Sequence, residues 1–351
     1  CSSIESKKIV SEQPEFKNIP NIPIQEISLN NNIEKMDRVR LKIGEHMVNS
    51  IKTSPHVYST SEVAKTYELK PTDFHGLTPK LTVKIGEKVK AGTILFVDKY
   101  NEMVKFCSPV SGEVTDIIRG EKRRILKVVI ISDIEIEYES LNSENTTDLS
   151  REKIIDKMCS NGVWPFIRQK PYDVIANPLD TPKSIFISAF NSEPIAIDND
   201  FALYGKEELF QYGLDIITKL TSGITHLNID GYSNPSKVFA DAKGVQVNRI
   251  SGMHPSGNVG VQIHHIDPIN KDDIIWYLSP QDVITIATLF KDGKYDVSRI
   301  IAVSGSQIKR PKYYRTIAGT SVLNFLKNNW HWRDRAYRFL TLRNPKTSTH
   351  A

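Results

Sequence analysis

The sequence contains very little cysteine. Its three cysteines, Cys1, Cys107 and Cys159, are too few for the four thiolates that hold an iron–sulfur cluster. Their wide spacing includes no CxxC motif of the kind that binds zinc or exchanges disulfides. A disulfide-stapled fold is excluded as well, so we expect a chain that works in a reducing compartment.

Long hydrophobic runs are also missing. Wholly apolar runs have at most five residues, as at 274–278, whereas a membrane-spanning helix needs about 20. We therefore expect that the chain does not itself span a membrane and that any membrane role comes through a partner or a lipid. Charge is nearly balanced, with 46 Lys and Arg against 41 Asp and Glu, and we expect no nucleic-acid partner.

The chain opens on a polar stretch, residues 1–35, whose apolar content is too low for a core and predicts an extension. Cys1 is followed by two serines, which resembles the start of a mature bacterial lipoprotein. The start of a fragment is the alternative, and lipidation of Cys1 stays open.

Residues 36–135 have the pattern of a small all-β domain. Short β-type runs are separated by turns about every ten residues, at 81–84, 93–97, 104–107, 112–118 and 125–131. This spacing is typical of a small barrel or sandwich.

Residues 148–268 alternate between strand and helix patterns. Ser150 is a candidate N-cap of a first helix that ends at Gly162. Strands at 184–190, 225–229 and 245–250 alternate with a helix at 206–220 and a short helix after Pro235. This order predicts a Rossmann-like α/β domain with a doubly wound parallel sheet.

Residues 269–327 read as a third unit. A strand at 274–278 leads into a helix for which Ser279, Pro280 and Asp282 fit the N-cap, N1 and N3 positions. A hairpin at 299–303 and 313–317 and a short helix from Thr320 follow. Strands around one helix predict a β-grasp domain. Residues 328–351 are rich in aromatics and arginine without a period, and we interpret them as an atypical tail.

Lys99 is one candidate for chemistry. It follows Asp98 near a turn between strands, which resembles the hairpin-tip lysine of lipoyl and biotinyl carrier domains. A solvated turn lysine is the alternative, and the distance to 108–109 is about two residues longer than in those carriers.

Metal and phosphate sites are poorly supported. His264 and His265 lie in a strand pattern, where neighbours point to opposite faces and cannot share a metal. The glycine-rich stretch 252–260 lies between predicted strands, so it lacks the helix N-terminal amides of a phosphate cradle. We expect no metal site.

An ordered set of segments carries a family resemblance. It comprises 79–92, 104–112, 119–124, 161–171, 254–260, 265–268, 281–284 and 302–305. From about 39 to 325 the chain resembles the A subunit of the sodium-translocating NADH:quinone oxidoreductase (Na⁺-NQR), in a Bacteroidetes-like variant. The resemblance implies an α/β multidomain protein with a lipoyl-like barrel-sandwich hybrid, a Rossmann-like domain and a β-grasp, SLBB-like domain.

The resemblance also implies a function. The chain would be a peripheral subunit on the cytoplasmic face of the bacterial inner membrane, partnered with the other subunits and especially the membrane-embedded B subunit. The complex uses NADH, flavins, an iron–sulfur centre and quinone, and couples quinone reduction to Na⁺ export. In relatives a glycine-rich loop cradles flavin and dinucleotide phosphates. Here 160–168 keeps one glycine and carries Trp164, Pro165 and Phe166 instead, so we expect no cofactor bound by this chain.

Two departures leave a degenerate, inactive remnant as an alternative. The opening motif of the family is blurred at 40–46, and 328–351 fits the family poorly. A carrier protein modified at Lys99 is the other alternative.

For quinone, the loop 69–77 offers Phe74 and His75 between Pro71 and Pro79. A quinone needs an apolar wall and donors to its carbonyl oxygens. Phe74 and His75 are therefore the candidate quinone-binding residues, with an ordinary surface loop as the alternative. No catalytic residue is assigned.

Overall fold

A computed structural model describes residues 64–143, 149–193, 196–304 and 308–322, and the backbone of two short strands, Gln25–Ser28 (β1) and Ser59–Thr60 (β2). Cys1, the segment 40–46 and the tail 328–351 lie outside the described residues, as does most of the extension 1–35.

The first described unit is a β-barrel sandwich of two small sheets. Its strands are β3 (Thr66–Leu69), β4 (Pro79–Leu81), β5 (Lys88–Val89), β6 (Ile94–Asp98), β7 (Lys105–Cys107), β8 (Gly112–Arg119) and β9 (Ile125–Ser132). One sheet has the order β3-β9-β8-β5 and the other β4-β6-β7. The alternating pattern of β8 and β9 turns Val114, Val128 and Ile130 into the core between the sheets. The predicted all-β domain is confirmed.

The second unit is built on a seven-stranded sheet. Its further strands are β10 (Arg168–Lys170), β11 (Val174–Ile175), β12 (Ser184–Ser188), β13 (Ile224–Asp230), β14 (Gln246–Ser251) and β15 (Ile275–Leu278). The order is β1-β14-β13-β12-β15-β10-β11. The first five of these strands run parallel, whereas β10 and β11 pair antiparallel.

Helices cover both faces of this sheet. They are α1 (Arg151–Ser160), α2 (Asn199–Ala202), α3 (Glu207–Ile217), α4 (Lys237–Ala240), α5 (Val259–Ile266) and α6 (Pro280–Asp292). Helices α3 and α6 pack together in the main core, which also contains Ile185 and Trp276. On the opposite face, Phe186 and Ile275 pack with Ile263 of α5. Two covered faces explain why the central strands β12 and β15 are nearly continuous apolar runs.

The helix-capping signals behave as the sequence predicted. The Ser150 hydroxyl accepts a hydrogen bond from the Lys153 amide at the start of α1. Ser279 and Asp282 form a reciprocal capping box at the start of α6, with Pro280 in the first turn and Gly293 left-handed at the C-cap.

Two predicted boundaries were wrong. Residues 274–278 were assigned to the third unit, but β15 pairs in parallel with β12 inside the seven-stranded sheet, and α6 packs on α3. Residues 1–35 were interpreted wholly as an extension, but β1 pairs in parallel with β14 and forms an edge of the same sheet. Backbone hydrogen bonds to β14 do not need apolar side chains, so a polar segment can form this edge strand.

The fourth sheet, which belongs to the third unit, is small. Strands β16 (Ser298–Val303) and β17 (Lys312–Ile317) form the predicted antiparallel hairpin, and β2 pairs in parallel with β17. The hairpin contacts the barrel, since the Glu68 amide donates to the Gly319 carbonyl at 3.0 Å. It also contacts the α/β unit, since the Asp198 amide donates to the Tyr313 hydroxyl at 3.3 Å. The β-grasp assignment stays a prediction, as does the name Rossmann-like.

No helix in the described residues combines the length and the apolar content that crossing a membrane requires.

A chain of buried polar side chains crosses strands β13 and β14. The Asn248 amide donates to Asn228 at 2.8 Å, and the Asn228 amide donates to Gln262 at 2.8 Å. His226 lies beside them, with Nδ1 3.2 Å from the Asn248 amide nitrogen and its ring stacked on Phe186. Burial lowers the pKa of His226 to about 4.

This buried histidine predicts a loss of stability in acid. An unfolded histidine has a pKa near 6.5, whereas folded His226 has a pKa of about 4. Between these pH values the unfolded chain binds a proton that the folded chain does not bind, so acid favours unfolding. We expect His226 to reduce the free energy of unfolding by about 2 kcal/mol between pH 7.5 and pH 5. Urea unfolding of wild type and His226→Gln at both pH values tests this. The exposed His264→Gln is the control and should keep the wild-type difference, whereas an unchanged difference in His226→Gln would contradict the assignment.

Candidate functional site

A cavity lies where the barrel, the α/β unit and the hairpin meet. Its volume is about 90 Å³. The barrel contributes Phe74 and Phe106, the turn after α1 contributes Pro165 and Phe166, and the hairpin side contributes Arg299 and Gly319. The lining is therefore mostly apolar with a few charged groups, the composition of a small-molecule site.

Phe74 is placed in the cavity wall by a short turn. Residues Pro71–Asp73 form one turn of 3-10 helix that starts with a proline, and the Phe74 amide closes it by donating to the Pro71 carbonyl at 3.2 Å. The Phe74 ring then meets Phe106 edge-on, with centroids 4.9 Å apart, and Phe106 stacks on Phe96. The proline-bounded loop thus anchors an aromatic wall.

His75 does not share this placement. It is exposed and is not among the residues that line the cavity. The structure therefore brings Phe74 to the cavity but leaves His75 outside it.

Asp73 gives the cavity a group that changes charge near neutral pH. Burial raises the pKa of Asp73 to about 6, and the nearby Lys70 ammonium opposes the rise. In its protonated form this carboxyl donates a hydrogen bond, and in its ionised form it only accepts. Asp73 carries no signal in the local sequence, because its pKa depends on burial that a local pattern does not reveal.

Arg299 supplies a permanent positive charge. Its Nη2 donates to Oδ1 of Asp282 at 2.7 Å, and its guanidinium lies 5.0 Å above the centre of the Phe166 ring. Both members of the ion pair are buried. Asp282 was predicted only as a helix cap, and the structure gives it this second role of holding Arg299 at the cavity.

The segment after α1 is filled by side chains. Trp164 is fully buried, donates from Nε1 to the Ala176 carbonyl at 2.7 Å, and meets Trp276 edge-on. A Cβ on Gly162 would lie 2.6 Å from Sγ of Cys107, so the barrel packs directly on this turn. The segment follows a helix, not a strand, and so does not have the strand–turn–helix order of a dinucleotide loop.

Residues Val259–Ile266 form a helix where the sequence predicted a strand. His264 and His265 lie in helix α5, not in a strand, and the glycine-rich stretch leads directly into that helix. The loop is tied down, because the Gly257 amide donates to Oγ of Ser192 at 2.8 Å and that oxygen lies 3.1 Å from Nδ1 of His254. Among the described residues, no group of three or more His, Cys, Asp or Glu is placed to hold a metal ion.

Lys99 lies where the sequence places it. It is exposed in the turn between β6 and β7, and its backbone amide donates to the Thr78 carbonyl at 2.8 Å. Modification of Lys99 stays a prediction.

Comparison with known proteins identifies two domains. Residues 40–133 match the NqrA N-terminal barrel-sandwich hybrid domain, and residues 149–295 match the NqrA second alpha/beta domain. The second match extends past β15 and α6, in agreement with their place in the α/β unit.

Several curated proteins are similar to this chain, each named as the A subunit of a Na(+)-translocating NADH-quinone reductase. The protein of Marinomonas sp. (strain MWYL1) is 36% identical over 273 residues, which are 77% of this chain and 60% of that protein. That of Saccharophagus degradans is 35% identical over 71% of this chain and 56% of its own length. That of Yersinia pseudotuberculosis is 33% identical over 80% of this chain and 62% of its own. The chain thus spans about 60% of the length of these relatives.

A solved NAD⁺-reducing [NiFe]-hydrogenase aligns with 40% of this chain and 31% of its own at 14% identity, with a TM-score of 0.28. This similarity is too weak to indicate a shared fold.

Proposed function

Since the chain belongs to the NqrA family, the A subunits of Na(+)-translocating NADH-quinone reductases, we propose that it is a peripheral subunit of such a pump. In this role it takes part in coupling NADH oxidation and quinone reduction to Na⁺ export. The observation that carries the proposal is the match of two consecutive domains of one family, in order, over the barrel and the α/β unit.

The proposed partners are the other subunits of the complex, above all the membrane-embedded B subunit, at the cytoplasmic face of the bacterial inner membrane. The chain is inactive alone, because NADH, the flavins and the iron–sulfur centre belong to its partners.

Co-purification tests this placement. A tagged copy, expressed in its host, should bring down the membrane and flavin subunits and restore Na⁺-dependent quinone reduction to a strain that lacks the gene. Failure of both, with the protein folded, would favour an inactive remnant.

The isolated chain should be colourless. The segment 160–168 is packed with side chains instead of the free backbone amides that bind phosphates, and the sequence has too few cysteines for a four-thiolate cluster. Absorbance spectra of the purified chain test this expectation. Stoichiometric flavin or iron–sulfur absorbance would overturn it.

We further propose that the cavity at Phe74 is the quinone site of this chain. The aromatic wall suits a flat head group, while Arg299 and protonated Asp73 are donors for carbonyl oxygens. An engineered cavity of about 150 Å³ holds benzene, so the cavity of about 90 Å³ must widen for a substituted ring. Movement of the Phe74 loop, which forms one wall, provides that room. His75 is adjacent to Phe74 in the chain but is exposed outside the cavity lining.

Two substitutions test this site. Phe74→Ala should weaken binding of a short-chain quinone by about 1–2 kcal/mol, or roughly 5- to 30-fold, because a stacking face is lost. His75→Ala should weaken quinone binding by about 1 kcal/mol if His75 donates one neutral hydrogen bond to a carbonyl oxygen of the bound quinone. Calorimetric or fluorescence titration measures both affinities.

Tyr100→Ala is the matched control, since Tyr100 is an exposed aromatic residue of the same barrel outside the cavity. Wild-type affinity in both test variants, with circular dichroism unchanged, would show that the loop does not bind the quinone. Substitution of Arg299 on the opposite wall would then be the next test.

A lipoyl or biotinyl carrier is the second candidate, favoured only by the exposed Lys99 in its hairpin turn. The intact mass of protein from the native host separates the two functions. An added lipoyl or biotinyl mass that disappears in Lys99→Arg would support the carrier.

A further inference from the structure

The turn between β8 and β9 is an exposed, strongly basic projection. We call residues 119–126 the basic tip. Its charged side chains are all exposed, and they comprise four cations and one carboxylate: Arg119, Lys122, Arg123, Arg124 and Glu121. The tip therefore carries a net charge of +3, compared with +5 for the whole chain.

The backbone of the tip holds these cations outward. Lys122 and Arg123 are both left-handed, with φ of 53° and 60°, a conformation that ordinary side chains rarely adopt. The Arg119 guanidinium braces the turn by donating to the Arg123 carbonyl at 3.3 Å. None of the four cations forms an ion pair with a residue of the described ranges. Their charges are available to a partner.

An apolar residue stands among the charges. Leu126 is 36% exposed, and its side chain lies against Gly120, where an added Cβ would be 3.1 Å away. Segments that bind the interface of a membrane combine lysine and arginine with apolar residues such as leucine.

The tip lies at the same end of the barrel as the cavity. Leu69 pairs with Val128 of β9, and the turn of Pro71–Asp73 that follows packs against β9. The tip lies just before Val128 in the chain and includes the first two residues of β9, so it lies at the end of β9 where Leu69 pairs. The Phe74 loop therefore lies beside the base of the basic tip.

We propose that the basic tip docks the chain on an anionic phospholipid surface. Near such a surface each cation strengthens binding about fivefold, which corresponds to about 1 kcal/mol. Long cationic side chains around one leucine, without a groove or aromatic ring, fit a fluid layer of head groups better than a fixed protein surface. Docking there would hold the Phe74 loop close to the lipid, where isoprenoid quinones reside. The proposal goes beyond the proposed function, because a chain that binds no quinone can still dock.

Vesicle flotation tests the proposal with the full chain, expressed without lipidation. Vesicles of phosphatidylcholine alone are compared with vesicles that contain about one third phosphatidylglycerol. The test variant is Lys122→Asn/Arg123→Asn/Arg124→Gln, in which asparagine tolerates the left-handed positions. The control variant is Lys65→Gln/Lys84→Gln/Lys88→Gln, which removes three exposed cations from the opposite end of the barrel.

We expect wild type and the control variant to bind the anionic vesicles and not the neutral ones. The test variant should bind between about 10- and 150-fold more weakly, as the loss of three charges predicts. Added salt at about 0.5 M should release the wild type. Binding that ignores lipid charge, or that falls equally in both variants, would overturn the proposal. If wild type ignores the vesicles while the test variant fails to co-purify with the other subunits, the tip contacts protein and the lipid proposal is wrong.

Quinone titration keeps the two proposals apart. The test variant, which leaves the cavity lining intact, should bind a short-chain quinone in detergent with wild-type affinity.

Discussion

Asp282→Asn is expected to lower the free energy of unfolding by about 3–5 kcal/mol. Asp282 and Arg299 are 3% and 6% exposed, so the guanidinium has little water to replace a lost carboxylate. The amide keeps the size of the side chain but not its charge, and Arg299 is left buried without its counterion at 2.7 Å. The capping box at Ser279 is weakened in the same step, because one Asp282 oxygen accepts the Ser279 amide.

Urea unfolding of Asp282→Asn, Arg299→Met and the double variant measures the coupling. The double variant should be more stable than the sum of the single losses predicts, since it leaves no unpaired charge. Asp292→Asn, exposed at the other end of α6, is the control and should change stability by less than about 0.5 kcal/mol. A loss below about 1 kcal/mol in Asp282→Asn would show that the ion pair between α6 and β16 contributes little to stability.

Gly112→Ala is also expected to lower the free energy of unfolding by about 3–5 kcal/mol. The loss arises in the barrel and not at the Asp282–Arg299 pair. Gly112 begins β8 with φ of 152°, beside the backbone of β9. An added Cβ would lie 1.9 Å from the Ile131 carbonyl oxygen, so β8 and β9 would have to separate locally. Thermal unfolding, together with amide exchange in β8 and β9, measures the effect.

Gly86→Ala is the matched control for Gly112→Ala. Gly86 also has positive φ, 85°, but an added Cβ would meet nothing within 4 Å. It should cost only the strain of a left-handed alanine, about 1–2 kcal/mol. Equal losses at the two positions would mean that the close approach to β9 is relieved without cost.

Local signals in the sequence were sufficient for much of the fold. The N-caps at Ser150 and Ser279, the stop at Gly293 and the turns of the barrel depend on nearby residues in the chain, so their chemistry is visible in the sequence. Helix α5 was missed because it is short and half of its residues are β-branched, although Val259, Ile263 and Ile266 recur at helical spacing and pack on one face.

Long-range pairing was not visible in the same way. β15 is apolar and short, and nothing in its own residues shows that it inserts beside β12, about 90 residues earlier. The candidate site has the same character. Phe74 could be proposed from its loop, but Arg299 and Phe166 reach the cavity only through tertiary packing.

The edge strand β1 has a consequence for the order in which the protein is made. Its partner β14 follows roughly 220 residues later, which takes on the order of 10–40 s to synthesise at ordinary rates of translation. The barrel strands β3 to β9 are complete long before that and can close without β1. Strand β1 therefore leaves the ribosome before the other described strands but is among the last of them to pair. Until β14 has been translated, β1 remains an unpaired strand with which other chains could pair.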